Sequence, residues 1–549
     1  MRANYLTKEL CQQVLLQKQH LQNTANLGYI RYIGMVQDIN SEIEYVAMTQ
    51  TTNGGKDDNG GGDQCMYEEQ QCMFLKPVLP VEYIRGYDYS DANFNQENTN
   101  SKSDHAVNGS HKRARTCLAP QQQGHENSNL FEEQCSIMVL FRDSVTGIGP
   151  HSKRKPRLND LVEIFGTLDF VEEEIDPNTN ETNRILPRVS ATSFERLDLD
   201  IYKASLPNAS SFGSNRWRVF DYGEDDRSVV IEAFAHHLFC GNTLAAEALM
   251  LALLSKAERM DNNEFCNPIK MSNNASVGCA ALNFVLPNDV DCAAFGRLLH
   301  RALEQMFPCV SPVDLSVDNL NNGLLCPPYK QDECVRMKDS CLQLVKGSVL
   351  LLNNRTCIGM NNMSRGLNVT GQSSVRAMTS IASTQSVLYS FGSYCQCKFD
   401  ADYRTIILSC SRSYDLIPST LKIKVKGAFE TYSDPTAKQI FPPHLASKLR
   451  TYFTRCQSIK NIGISKALCL KAEQEFVERR KLARSEGSTQ NLNEDDFHRW
   501  LTLTRLQARS RGNGCVTHET ILEDWELALQ IDDAMKSTFS SSQVSPMKA

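Results

Sequence analysis

Val277-Gly278-Cys279-Ala280-Ala281-Leu282-Asn283-Phe284-Val285-Leu286 is an almost unbroken apolar run, and Pro287-Asn288-Asp289 ends it. A strand buried on both faces needs such a run. Just downstream, Phe295, Leu298, Leu299, Ala302, Leu303 and Met306 recur at helical spacing, and Pro308 closes that helix. Val313 to Leu320 reads as the next strand. Leu342 to Leu352 reads as two strand pieces around Gly347. Further strands are expected at 386–391, 395–399 and 404–409. Strands alternating with helices of this length give a mainly parallel α/β sheet.

On the upstream side, Val229 to Phe234 is apolar and strand-like, and Leu244, Ala248, Leu251 and Ala252 mark a helix face. From about 443 the pattern is helical throughout. Leu468, Ala472 and Phe476 share one face, Phe497, Trp500, Leu503 and Leu506 a second, and Ile521, Trp525, Ala528 and Leu529 a third. Gly512-Asn513-Gly514 separates the last two helices.

The N-terminal part reads differently. Residues 5–22 carry Leu10, Val14, Leu15 and Leu21 at helical spacing. Tyr29 to Val36 and Ile43 to Met48 then read as two strands. Met73 to Ile84 contains Pro77 and Pro80, which favours an extended or edge segment. Ser136 to Phe141 is another strand. Leu158-Asn159-Asp160 is a turn, and Leu161 to Leu168 is an alternating strand bent at Gly166. Small barrels need such glycine kinks to close, and the pattern resembles OB-fold modules. The Asn- and Gly-rich stretches at about 49–63 and 88–130 cannot bury enough apolar surface to offset chain ordering, so they read as disordered insertions.

The expected organisation follows. An N-terminal helix occupies 1–24 and an OB-like β-barrel with its insertions 25–171. A linker covers 172–225, an α/β domain 226–442, a helical domain 443–536 and a disordered tail 537–549.

The 549 residues hold 58 Lys plus Arg against 64 Asp plus Glu, a net charge of −6. So small a charge gives no global attraction to nucleic acid, and any such contact needs a local patch. No window approaches 18 consecutive apolar residues, which argues against a membrane span. The first residues, MRANYLTKELCQQVLLQKQ, lack the apolar core of a signal peptide. The 20 cysteines include no Cys-x-x-Cys pair, so they read as reduced, mostly buried thiols in cytosol or nucleus. Asn-x-Ser/Thr triplets such as Asn208-Ala209-Ser210 carry no meaning without secretion.

The motifs exclude more chemistry than they support. A phosphate loop would need Gly-x4-Gly-Lys-Ser/Thr after a strand, and none exists. A magnesium-holding acid is expected after an apolar strand, yet Leu350-Leu351-Leu352 leads to Asn353-Asn354-Arg355. There is no Gly-x-Ser-x-Gly. His236-His237, with Cys240 nearby, reads as core-edge packing, because no second ligand pair accompanies it. No catalytic, cofactor or metal residue is assigned. Tyr29 and Tyr32 offer base-stacking rings, with packing the preferred role. Lys112, Arg113 and Arg115 form one basic cluster and Lys153, Arg154, Lys155 and Arg157 another. Both are candidate nuclear-import signals, and the second could also contact nucleic acid.

In this order, RYIGMVQDI, LNDLVEIFGTLDF, LAAEALMLALLSK, GCAALNFVLP, LQLVKGSVLLLNN and VLYSFGSYCQCKFDADYRTIILS resemble the minichromosome maintenance (MCM) complex-binding protein family. Independently, LRTYFTRCQ with ISKALCLKAEQEFVERRK, and FHRWLTLTRLQARSRGNGCVTHETILEDWELALQIDDAM, are similar to the helical lid of MCM helicase ATPase modules. Arg505 stands where that lid carries an arginine, with only part of the surrounding pattern kept. The resemblance implies a degenerate AAA-like domain between the OB-like barrel and the lid. It also implies a nuclear, non-enzymatic protein without cofactor. Its partners would be MCM subunits, and it would reach chromatin through them. Roles in DNA replication through subunit assembly, storage or release, and in sister-chromatid cohesion, are implied as well. Direct nucleic-acid binding is left open, and a single-stranded nucleic-acid-binding protein is the alternative. Asn353-Asn354 departs from the Asp-Glu expected of the family.

Overall fold

A computed structural model describes residues 4–5, 29–48, 66–76, 137–142, 156–173, 184–199, 226–257, 279–287, 290–322, 329–330, 340–354, 366–391, 395–410, 416–425, 440–459, 461–485, 492–511 and 517–540. The chain divides into two units.

The first unit is β-sheet. Its strands are β1 (Asn4–Tyr5), β2 (Tyr29–Met48), β3 (Met66–Lys76), β4 (Ile137–Arg142), β5 (Leu161–Glu173) and β6 (Arg184–Leu197). β2 pairs antiparallel with β3, β3 with β4, and β6 with β5, while β4 pairs parallel with β6. β5 returns to β2, so five strands close into a small barrel, and β1 adds a parallel pair to β2. Ile30, Val36, Met73, Val139, Val162, Ile164 and Val189 fill it, and Phe141 meets Phe194 edge-to-face at 5.4 Å. Closure bends β5 at the expected place. Register shifts between Phe165 and Gly166, where a Cβ would collide with the carbonyl oxygen of Ser190. Asn159 takes φ 67° in the preceding turn, a conformation Asn tolerates well.

Several sequence expectations change here. Tyr29 to Met48 is one strand with two irregularities, at Val36/Asp38 and Ile39/Ile43, rather than two strands. Met73–Lys76 is extended, as one of the two readings has it, but Met73 is paired on both sides, to Ile39 and Val139, so β3 is internal rather than an edge. Arg184–Leu197, placed in the linker, is the strand that pairs along β5. Asn4–Tyr5 is strand, and the rest of the helix expected at 1–24 lies outside the described residues. So do the insertions at 49–63 and 88–130.

The second unit contains, in chain order, α1 (Asp226–Leu238), α2 (Thr243–Leu253), β7 (Leu282–Leu286), α3 (Cys292–Glu304), β8 (Val310–Asp314) and α4 (Val317–Asn321). β9 (Tyr329–Lys330) falls at the boundary between the units. Then come β10 (Val349–Asn353), α5 (Val369–Thr384), the antiparallel pair β11 (Ser386–Phe391) and β12 (Cys395–Asp400), β13 (Arg404–Cys410) and β14 (Leu421–Lys424). The chain continues through α6 (Pro443–Ser458), β15 (Asn461–Ile464), α7 (Lys466–Ser485), α8 (Glu494–Ser510), β16 (Thr517–Thr520) and α9 (Leu522–Ser540).

β14, β7, β13, β10 and β8 form an all-parallel sheet in that order. β7, β10 and β13 are buried at every residue, as their apolar runs require. One core joins this sheet to the helices: Leu249 of α2, Leu299 of α3, Phe453 of α6, Leu503 of α8 and Ile531 of α9 belong to it. A smaller cluster of Leu468, Ala472, Trp500, Trp525 and Leu529 holds α7, α8 and α9 together.

Four local readings are corrected. Asp226–Leu238 is helix, not the strand-like segment read over Val229 to Phe234. The strand read over Val313 to Leu320 is displaced to Val310–Asp314, and a short helix capped by Ser316 follows. Of the two strand pieces read over Leu342 to Leu352, only Val349–Asn353 is strand, because Gly347 at φ 88° makes a turn instead. The C-terminal part is not wholly helical, since β15 and β16 pair in parallel, and α9 carries helix through Ser540 into the expected tail.

Candidate functional site: the carboxyl ends of the parallel strands

Ligands of open parallel sheets bind beyond the carboxyl ends of the strands, where strand order reverses. In this sheet that region lies around the end of β7. Three segments meet there, and each answers a different requirement of nucleotide chemistry.

The first is the start of α3. In phosphate-binding folds the helix following the first strand offers free backbone N–H groups to the anion. Here Asp291 caps the helix, its Oδ1 accepting from Ala293 N at 2.8 Å. A carboxylate therefore sits where an incoming phosphate would sit. Cys292 and Ala293 occupy the first turn, with no lysine or hydroxyl. An Asp ahead of an apolar helix is a readable N-cap signal, and sequence reasoning passed over it.

The second is the end of β10. Asn353 and Asn354 are 7% and 3% exposed. Asn353 Nδ2 donates to Asp314 Oδ1 at 3.1 Å, and Asn354 N donates to Leu408 O at 2.9 Å. Both side-chain carbonyl oxygens lack a hydrogen-bond partner among the described residues. Gly296 of α3 packs here, and a Cβ on it would lie 3.1 Å from Asn353 Nδ2. The third is the end of β13, where Ser409 Oγ donates to Asn283 Oδ1 of β7 at 2.7 Å.

Asn283, Leu315, Asn354, Ile407, Ser409, Leu416 and Ile417 line a small cavity of about 10 Å³. That is room for one water molecule, whereas sites for small-molecule ligands occupy roughly 300–1,000 Å³. These residues do not fit a magnesium-bound nucleoside triphosphate. Among the described residues, no cluster of three or more His, Cys, Asp or Glu could hold a metal.

The remaining candidates resolve individually. His236 and His237 lie in the last turn of α1 with ring centroids 4.9 Å apart, and His237 meets Phe441 at 5.5 Å. Burial, and then the neighbouring His236, lower the pKa of His237, so it packs as a neutral ring. Arg505 is largely buried in α8, close enough to Cys469 of α7 to act on its thiol. Tyr32 is 3% exposed inside the barrel, so it cannot stack on a base. Arg157 is exposed, and its backbone N donates to Asp160 Oδ2 at 2.9 Å in the turn before β5. Lys112, Arg113, Arg115, Lys153, Arg154 and Lys155 lie outside the described residues. Of the free cysteines described, Cys72 and Cys456 are buried, Cys240 is exposed and the others are intermediate. Cys410 is disulfide-bonded, which departs from the reduced state expected. No helix among the described residues is long and apolar enough to cross a membrane.

Charged side chains in the helical part were not anticipated from sequence. Arg499 Nε donates to Asp532 Oδ1 at 2.7 Å, Trp500 Nε1 donates to Asp532 Oδ2 at 2.7 Å, and Lys536 Nζ lies 2.9 Å from that oxygen. Arg227 of α1 reaches Glu247 of α2 and, at 3.0 Å, Gln507 of α8. These bonds fasten the helices to the sheet domain and to one another.

Comparison with known proteins gives the family of the chain. A zebrafish protein named mini-chromosome maintenance complex-binding protein is 26% identical over 305 residues, 54% of this chain and 43% of its own. A Dictyostelium protein of the same name is 24% identical over 320 residues, covering 55% and 40%. A chicken one is 24% identical over 414 residues, covering 69% and 59%. The chain thus spans about half the length of the curated relatives it matches. The family described as mini-chromosome maintenance replisome factor matches residues 85–539. On that match, the chain belongs to the mini-chromosome maintenance replisome factor family.

Proposed function

We propose that this protein is a non-enzymatic, nuclear factor that binds MCM helicase subunits. It would support their assembly, storage or release from chromatin during DNA replication, with a role in sister-chromatid cohesion. Chromatin association would run through those subunits. The import signals would be the two basic clusters, Lys112 to Arg115 and Lys153 to Arg157.

The observation that carries the reading is the family match, taken with Asp291, Asn353 and Asn354 at the described strand ends. Two features support the domain assignment behind it. The barrel strands connect around the ring as first, second, third, fifth, fourth and back to first, with one parallel pair, which favours an OB-like domain. The parallel strands lie in the order fifth, first, fourth, third, second, with a helical part packed on the same core, which favours a degenerate AAA-like body and lid. Such a body can present a helicase-like surface while Asp291, Asn353 and Asn354 replace the groups a triphosphate needs.

The test is co-purification of the full-length chain from nuclear extract, with captured proteins identified by mass. Recovery of MCM subunits is expected. Recovery of none overturns the proposal.

A further inference from the structure

Val369, Leu470, Val477, Leu482, Ile521 and Leu522 are the exposed large apolar side chains among the described residues. All but Val369 belong to α7 or to the start of α9. The two helices run side by side: each follows one strand of the parallel pair β15–β16, and Lys471 meets Glu526 at 3.7 Å. Scattered apolar side chains need no explanation, but grouping on one small helical part does.

α7 has two unlike faces. Inward, Leu468 and Ala472 pack with Trp500 and Trp525. Arg479 on that side is engaged, lying 5.4 Å over the Trp500 ring and 3.1 Å from Asp533. Outward, helical spacing places Leu470, Val477, Arg480, Lys481 and Arg484 on one stripe. Glu473 shares that stripe and Glu478 flanks it. The side chains of Arg480, Lys481 and Arg484 are exposed and form no ion pair with any described residue. Arg484, in the last turn, complements the helix dipole. That accounts for Arg484 and leaves Arg480, Lys481, Leu470 and Val477 on the same stripe unexplained.

We propose that the outer face of α7 is a docking surface for an acidic, apolar-anchored segment of a protein partner, namely the helicase subunit of the preceding proposal, on which this inference rests. The three unpaired cations supply the complementary charge, and Leu470 and Val477 supply the anchors. Phosphate-backbone contact would use the cations and gain nothing from the apolar side chains. A membrane-surface helix needs a continuous apolar face, and Glu473 and Gln474 interrupt this one.

The test uses the full-length chain and a purified MCM subunit that it captures, with affinity measured at low and at physiological salt. Charge reversal by R480E/K481E/R484E is expected to weaken binding about tenfold or more and to flatten its salt dependence. L470S/V477S is expected to weaken binding comparably at both salts. Melting midpoints at the wild-type value establish that the variants fold, and single R480E and R484E variants replace the triple variant if it does not. Wild-type affinity in both variants overturns the inference and leaves the proposed function standing. So does a charge variant that loses DNA, anionic-vesicle or self-association binding while subunit capture is unchanged. A wild-type chain that captures no subunit overturns both.

Discussion

Asn353 and Asp314 join the carboxyl ends of neighbouring parallel strands through one hydrogen bond, Nδ2 to Oδ1 at 3.1 Å. The bond needs an amide donor. A carboxylate at 353, the residue a magnesium site would want, would face the Asp314 carboxylate instead.

Asn353→Asp is therefore expected to destabilise the protein by about 1–3 kcal/mol at neutral pH. A carboxylate buried at 353 beside the half-buried Asp314 carboxylate has its folded pKa raised above the unfolded value. The variant regains stability as pH falls toward 4 and loses it as pH rises. Urea melts at pH 7 and pH 5 measure this. No nucleotide turnover is expected of N353D/N354E, because the sequence carries no phosphate-loop motif; magnesium-dependent hydrolysis in that double variant contradicts the reading.

Asp532 carries the opposite pH dependence. Burial alone would raise its carboxyl, yet the hydrogen bond and charge of Arg499, with Trp500 and Lys536, hold it below the usual range. Asp496 is held low in the same way, against its burial, by Asn493 N, Arg499 and Lys536. A lowered folded pKa contributes stability above the unfolded value of about 3.9 and loses it as pH falls through the folded pKa. Asp532→Asn should cost about 3 kcal/mol at pH 7 and progressively less below pH 4. Equal loss at both pH values in denaturant melts would remove the charge from the explanation.

Gly166→Ala tests barrel closure. The added Cβ meets the Ser190 carbonyl across the β5–β6 pair, so a loss of about 2–3 kcal/mol is expected. Thermal melting that leaves the midpoint unchanged would show the kink to be dispensable.

The cysteines separate by burial. Burial pushes the Cys456 thiol up to about 11, so roughly one part in a thousand is thiolate at pH 8. Native protein treated with N-ethylmaleimide should label at exposed Cys240 and not at Cys456, while urea-unfolded protein labels at both. Native labelling of Cys456 at the Cys240 rate would contradict the packing of α6 against Ser510.

Buried runs were the legible part of the fold. Leu282–Leu286 and the spacing from Phe295 to Met306 announce β7 and α3, because each lies inside one core. β6 escaped because its alternation breaks. Pro187, Val189 and Ala191 face inward on odd positions and Phe194 on an even one. The extra residue Thr192 causes the change, its Oγ1 donating to Phe165 O at 3.0 Å. α1 was hidden by having apolar and small residues on most sides, which blurs helix periodicity. At the strand ends, Asn353-Asn354 was readable as a lost acid pair. Asp291 was readable as an N-cap and was passed over, whereas the exposure of the outer face of α7 depends on which side chains meet which, and spacing alone does not give that.

Sedimentation velocity on the full-length chain mixed with each purified MCM subunit, with and without magnesium ATP, tests the central claim most directly. The account predicts a faster co-sedimenting species with at least one subunit in both conditions. Free, unshifted boundaries with every subunit would contradict it.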